Sequence, residues 1–185
     1  MERHFTVSGF VSRDGRTALH WHRLGLWLPA GGHIEPDEDP IEAVLREVRE
    51  ETGLDVAVLP AASAVALPAV ALPALPRQLP PPVTIGVYDI ADVTPHQHID
   101  FVYFTRPLGA GTAELPDNDL GWRWVSEAEL AAAAPLPRPD GTGTTAVPDD
   151  VRRLGLAAIA AARAAPRTPA AVAARAPRAR EAGAR

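Results

Sequence analysis

Between residues 35 and 51 the chain carries eight carboxylates: Glu35, Asp37, Glu38, Asp39, Glu42, Glu47, Glu50 and Glu51. No other feature restricts the fold as much, because so much like charge needs a compensating partner. The spacing predicts a helix over Pro40–Glu51. Asp39 stands at its N-cap, Pro40 at the first helical position and Glu42 three residues after the cap, a capping-box arrangement with Asp in the Ser/Thr role. Gly53 supplies the C-terminal stop. On this helix Glu47, Glu50 and Glu51 are related by three- and four-residue steps, so their carboxylates share one face. Ile41, Val44, Leu45 and Val48 fall on a neighbouring face suited to packing on a sheet. Like charges at such spacing destabilise a bare helix by roughly 0.2–0.5 kcal/mol per pair. A bound cation reverses that sign, and oxygen ligands select hard ions such as Mg²⁺, Mn²⁺ or Ca²⁺.

Composition narrows the chemistry further. The 185 residues include no cysteine, and all 18 basic residues are arginine. This excludes disulfides, thiolate–zinc sites, iron–sulfur clusters and thiol nucleophiles. It also excludes Schiff-base lysines and the lysine of Walker-type phosphate loops. Charge is divided unevenly. Residues 1–151 hold 22 acidic residues against 10 arginines, whereas residues 152–185 hold 8 arginines against one glutamate. An acidic body argues against nucleic acid as the main partner. The N-terminus is too polar for a signal peptide, and the apolar stretch 61–79 is broken by prolines, so no membrane span is expected. The expected location is cytoplasmic.

Alternation predicts a strand over Phe5–Ser12, an Asp14-Gly15 hairpin turn and a returning strand over Thr17–His22. Ala30-Gly31-Gly32 reads as a permissive turn before the helix. Further strands are expected at Leu54–Leu59, Val83–Ile90, Ile99–Thr105 and Arg123–Val125. Residues 60–82 are almost only Ala, Pro, Leu and Val, which reads as a loop insertion. Ser126 caps a helix over Glu127–Ala134, a loop spans Pro135–Pro148, and a helix follows over Asp149–Ala165. Residues 166–185 are Ala/Arg/Pro low complexity and read as a disordered basic tail, leaving one domain over residues 1–165.

Residues 32–54, GHIEPDEDPIEAVLREVREETGL, are similar to the Nudix box, G-x5-E-x7-R-E-U-x-E-E-x-G-U, with U bulky and aliphatic. Gly32, Glu38, Arg46, Glu47, Val48, Glu50, Glu51, Gly53 and Leu54 match every defined position. The lead-in Trp27-Leu28-Pro29-Ala30-Gly31-Gly32 also resembles the usual approach, with Ala30 as a mild departure. A merely solvated charged helix face would not require Arg46 and both glycines. The flanking strands extend the resemblance to roughly residues 3–134.

The resemblance implies an α/β fold, an α/β/α sandwich around a mixed β-sheet. It implies a pyrophosphohydrolase that uses Mg²⁺, with Mn²⁺ as a substitute. Glu47, Glu50 and Glu51 would be the metal ligands and, with Arg46, the catalytic set. Arg46 would orient a box glutamate through a charge-assisted bond, and Glu38 would support the helix. Gly32 and Gly53 would allow the turns at either end, and glycine near Gly31–Gly32 would permit close backbone approach. Water would attack one phosphorus of a diphosphate in line. The general base would be a box glutamate or one of Glu114, Asp117 and Asp119. Arg23, Trp122 and Asp119 are the candidate substrate contacts.

The partner expected is a small-molecule nucleotide, first a (d)NTP or its oxidised form. ADP-ribose, other NDP-sugars and dinucleoside polyphosphates are the alternatives. A non-catalytic Nudix-fold regulator would be expected to have lost box glutamates, and all are retained. An isoprenoid diphosphate isomerase on this scaffold would lean on a cysteine, which is missing. The fold often dimerises, so a homodimer is an open option. The pairs His20/His22 and His96/His98 each share a strand face, which alone is weak evidence for a metal site and reads first as structural or rim histidines. His33 receives no role. Trp122 and Trp124 read first as one-sided packing, with base stacking as the sharper option.

Overall fold

The computed structural model describes residues 1–61, 78–90, 94–109, 113–118 and 120–166. The chain opens with β1 (Glu2–Arg13) and turns into β2 (Arg16–His22). Asp14 and Gly15 both take positive φ, 49° and 73°, the conformation that two-residue hairpins require and that Asp-Gly favours. Two short strands follow, β3 (Leu26–Leu28) and β4 (Ala30–His33). The expected glycine turn is therefore a strand. Gly31 and Gly32 pair with Ser8 and Val7 in an antiparallel ladder. Their lack of a side chain serves close approach: a Cβ on Gly31 would lie 2.2 Å from the Val7 carbonyl oxygen.

Helix α1 (Pro40–Thr52) has the termini expected from the sequence. The Asp39 carboxylate accepts from the N–H groups of Ile41 and Glu42, and Glu42 reaches back to the Asp39 N–H at 3.0 Å. Gly53 closes the helix at φ 70°, in the left-handed region, and donates to the Arg49 carbonyl. Then come β5 (Val56–Val58), β6 (Thr84–Ile90), β7 (His96–Pro107), β8 (Arg123–Ser126) and α2 (Glu127–Ala131), the last capped by Ser126 and Glu129. A small hairpin of β9 (Leu136–Pro137) and β10 (Thr144–Thr145) precedes α3 (Asp149–Ala164).

Strands β1 and β7 pair in parallel over ten residues and form the spine of an eight-stranded mixed sheet, whose other pairings are antiparallel. One edge of β1 carries β4 and β2, and β2 carries β3 and β8. The far edge of β7 carries β6 and β5. Alternation along β1 sends Val7 and Val11 to one face, where Ile41, Val44 and Val48 of α1 cover them. Phe10 goes to the other face, against Leu130 of α2 and Ala158 and Ile159 of α3. This is the α/β/α sandwich around a mixed sheet. Contact with α1 is close: a Cβ on Gly9 would lie 2.7 Å from Val48 and 2.9 Å from Val44.

Some boundaries differ from those read in the sequence. Strand β7 starts at His96 rather than Ile99, because its first residues pair with both β1 and β6. Helix α2 stops at Ala131, and Ala133 turns at φ 50°. The expected loop at 135–148 contains the β9–β10 hairpin, anchored by the fully buried Leu136. The loop reading of 60–82 falls largely on residues 62–77, and the tail reading on residues 167–185; both lie outside the described residues. Among the described residues no helix is long and apolar enough to cross a membrane.

His20 is 4% exposed on the α1 face of β2, its ring stacked on Trp122 at 4.7 Å between centroids. Burial, with a smaller contribution from His22, lowers its pKa to about 4. A buried imidazole with a depressed pKa stabilises the fold above its unfolded value near 6.5, and that contribution is lost as pH falls toward 4. Urea unfolding of the wild-type chain and His20→Phe is expected to diverge between pH 6.5 and 4. The wild-type chain should lose about 3 kcal/mol more than the variant. Parallel pH profiles would remove His20 as the cause.

Candidate functional site

Helix α1 brings Glu47 and Glu51 against strand β4 with Glu50 exposed beside them, and one guanidinium organises the group. Arg46 Nε and Nη2 donate to the two oxygens of Glu38 at 3.0 and 2.6 Å, a bidentate pair. Arg46 Nη1 donates to Glu47 at 2.8 Å and Glu50 at 3.1 Å, and Nη2 also donates to the His33 carbonyl at 3.1 Å. The bonds to Glu38 and Glu47 raise the Arg46 pKa, so the cation is permanent. Burial pushes the Glu38 pKa up, but the Arg46 hydrogen bond, the Glu35 N–H and the Arg46 charge together bring it below the ordinary value.

Glu51 differs from its neighbours. Its carboxylate accepts from the Gly31 N–H at 3.1 Å, and no Arg46 bond reaches it among the described residues. Burial first, then the negative charges of Glu47 and Glu50, push its pKa up to about 7 despite the Gly31 bond. Gly32 makes the meeting of strand and helix possible. A Cβ there would lie 2.3 Å from Glu47 Oε1.

Three carboxylates lie on one helix face with one cation among them, and Glu51 is still short of positive charge. These oxygen donors fit a hard divalent ion. Glu47, Glu50 and Glu51 are the residues that could hold one, with the Gly31–Gly32 backbone beside Glu51 and Glu47.

A model of the NUDIX domain matches residues 2–144. The chain belongs to the Nudix family. Its box stretch is similar to the CTP pyrophosphohydrolase of Escherichia coli, 40% identical over 57 residues, which cover 28% of this chain and 42% of that protein. It is also similar to an RNA pyrophosphohydrolase of Gluconacetobacter diazotrophicus, 60% identical over 35 residues, 19% of this chain and 21% of the other. The matches thus span less than half the length of these curated relatives. Among solved structures, a Nudix-family hydrolase from Clostridium perfringens superposes with a TM-score of 0.61. It is 27% identical and covers 86% of this chain and 98% of its own.

The remaining residues singled out in this Nudix sequence are dispersed. Trp122 lies just before β8, buried, with one ring face taken by His20. Trp124 donates through Nε1 to the Ala113 carbonyl at 3.0 Å. Arg23 sits in the exposed turn between β2 and β3. Glu114 and Asp117 are exposed in the loop before β8, and neither shows a hydrogen bond or ion pair to the box glutamates among the described residues. Asp119 lies outside the described residues.

A grouping that the sequence reading missed lies beside the box. His4 of β1, His33 of β4 and His96 and His98 of β7 come together, with the ring centroids of His96 and His98 each 4.9 Å from a neighbouring imidazole. Burial, then the neighbouring imidazoles, lower the His98 pKa to about 4. Only the His96/His98 pair was visible in the sequence, as a two-residue repeat on a strand.

Replacing Arg46 with Lys tests the hub. A lysine ammonium cannot reproduce the planar fork, so Glu38 loses its bidentate partner. Thermal or urea unfolding should show a loss of about 1–3 kcal/mol in Arg46→Lys. An unchanged midpoint would mean that Arg46 does not hold the loop to the helix.

Proposed function

We propose that this Nudix protein is a Mg²⁺-dependent pyrophosphohydrolase that cleaves a diphosphate linkage in a nucleoside diphosphate derivative. The observation that carries this reading is the placement of Glu47 and Glu51 against the Gly31–Gly32 strand, with Glu50 on the same helix face bonded to Arg46 and Glu51 under-compensated. Glu47, Glu50 and Glu51 would hold the metal. Bound there, a divalent ion neutralises phosphate charge and lowers the pKa of water.

The chain's own residues supply orientation. Arg46 fixes Glu47 and Glu50 on the open side of α1, and its bond to the His33 carbonyl ties them to the end of β4. The Gly31 N–H fixes Glu51. Attack by water in line on one phosphorus leaves a nucleotide and a second phosphate product. A box glutamate takes the proton, or one from the loop holding Glu114, Asp117 and Asp119 does. A (d)NTP or oxidised (d)NTP is the first substrate choice, in keeping with the box likeness to a CTP pyrophosphohydrolase. ADP-ribose, NDP-sugars and dinucleoside polyphosphates are the second. Trp122, Arg23 and Asp119 are the proposed substrate contacts.

A Mg²⁺-dependent hydrolysis screen over these four classes, run in ¹⁸O-water with products identified, tests the reading and locates the attacked phosphorus. Glu50→Gln and Glu51→Gln should each lower kcat by about a hundredfold or more while leaving the unfolding midpoint nearly unchanged. Near-normal turnover in both would sink the metal assignment. Gly32→Ala is a second test. Its methyl group would displace the Glu47 carboxylate, a movable group, so activity should fall about tenfold or more with little loss of stability. No turnover of any substrate would favour the non-catalytic nucleotide-binding alternative.

A further inference from the structure

The sheet register gathers histidines far apart in sequence. His4 and His98 are direct partners in the parallel β1–β7 ladder, so they share a face. His33 pairs through Thr6, two residues along β1, and joins the same face from the other edge. His96 precedes His98 by two and lies on that face as well. One ligand nitrogen from each of His4, His33 and His98 lies within 4.8 Å of the other two.

We propose that His4, His33 and His98 form a binding site for a borderline first-row divalent cation such as Zn²⁺, distinct from the box carboxylates.

The nitrogen spacings match this use. Two imidazole nitrogens on one tetrahedral ion, each about 2.05 Å from it, sit about 3.3 Å apart. His4 Nδ1 and His33 Nε2 are 3.2 Å apart. Partners on the outer side turn the lone pairs inward. His4 Nε2 lies 3.2 Å from Glu2 Oε1, and a proton placed there leaves Nδ1 as the lone-pair nitrogen. His96 Nδ1 lies 2.8 Å from the Thr94 carbonyl, and a proton placed there leaves Nε2 to accept from His98 Nε2 at 3.1 Å, so that Nδ1 is the lone-pair nitrogen of His98. His96 is thus a positioning residue that sets the tautomer of His98, the kind of outer support that metal-bound imidazoles have. The donor set separates this site from the box. Imidazole selects Zn²⁺, Ni²⁺, Co²⁺ or Cu²⁺, whereas carboxylate selects Mg²⁺ or Mn²⁺. Three protein ligands leave the fourth position to water or an oxygen-bearing ligand. The two sites touch through one residue, since the carbonyl of His33 accepts from Arg46.

The test uses the untagged full-length chain, stripped with chelator. Zn²⁺ is titrated by calorimetry and Co²⁺ by visible absorption. The expected result is one tightly bound equivalent and the intense bands of four-coordinate Co²⁺, both kept in the Glu50→Gln/Glu51→Gln variant. Losing even an outer-shell partner costs a metal site about 10–100-fold, so His33→Gln/His98→Gln should weaken binding by about a hundredfold or more. Equal binding in the histidine variant, loss in the box variant, or no Zn²⁺ binding by the wild-type chain overturns the proposal. X-ray absorption at the zinc edge of the wild-type protein needs no variant to fold. Imidazole scattering supports the site, and a first shell of oxygen alone overturns it.

Discussion

Arg46 is the point on which the site depends. Helix α1 concentrates acid on one side, and the fold answers with a single guanidinium that binds Glu38, Glu47, Glu50 and the end of β4 at once. Its five donors in a rigid plane suit that task in a way a lysine ammonium would not. The offset is deliberately incomplete in one place. Glu51 is half-buried and held by a backbone N–H, with no Arg46 bond to it among the described residues. Local charge is therefore balanced enough for the helix to fold and short enough of balance to favour a cation.

The second constraint is the parallel pairing of β1 with β7. It lets β1 serve both layers, with Val7 and Val11 under α1 and Phe10 under α2 and α3. The same pairing places His4 beside His98 and Thr6 beside Asp100, whose carboxylate accepts from the Thr6 hydroxyl at 2.8 Å in a buried setting. One ladder thus builds the core and, at its open end, the histidine group. The box carboxylates and the histidines stand on different side chains and meet at the short strand β4 that ends at His33.

Local signals carried much of this structure in the sequence. The Asp39–Glu42 capping box, the Gly53 stop and the Asp14-Gly15 hairpin all depend on residues within a few positions of one another, and each stands where its chemistry placed it. The side chains of the box also fall together because helical spacing alone brings them together. What could not be read depends on pairing at long range. The glycines at 31 and 32 read as a turn because nothing nearby in sequence says that Val7 and Ser8 lie alongside them. Histidine 33 looked idle because His4 and His98 reach it only through two other strands. Trp122 offered two readings, and its burial against His20 is a matter of tertiary packing that alternation does not encode.

Gly9 carries a consequence for how such a chain can vary. The Cβ it lacks would fall on Val44 and Val48, so the helix bearing the carboxylates rests directly on sheet backbone. Positions 9, 44 and 48 therefore share a fixed volume. Any lineage that adds a side chain at 9 must shrink 44 or 48, or lift the helix and carry the carboxylates away from β4. Sequence drift in an apolar contact, with no charged group involved, would then retune the spacing of the charged site.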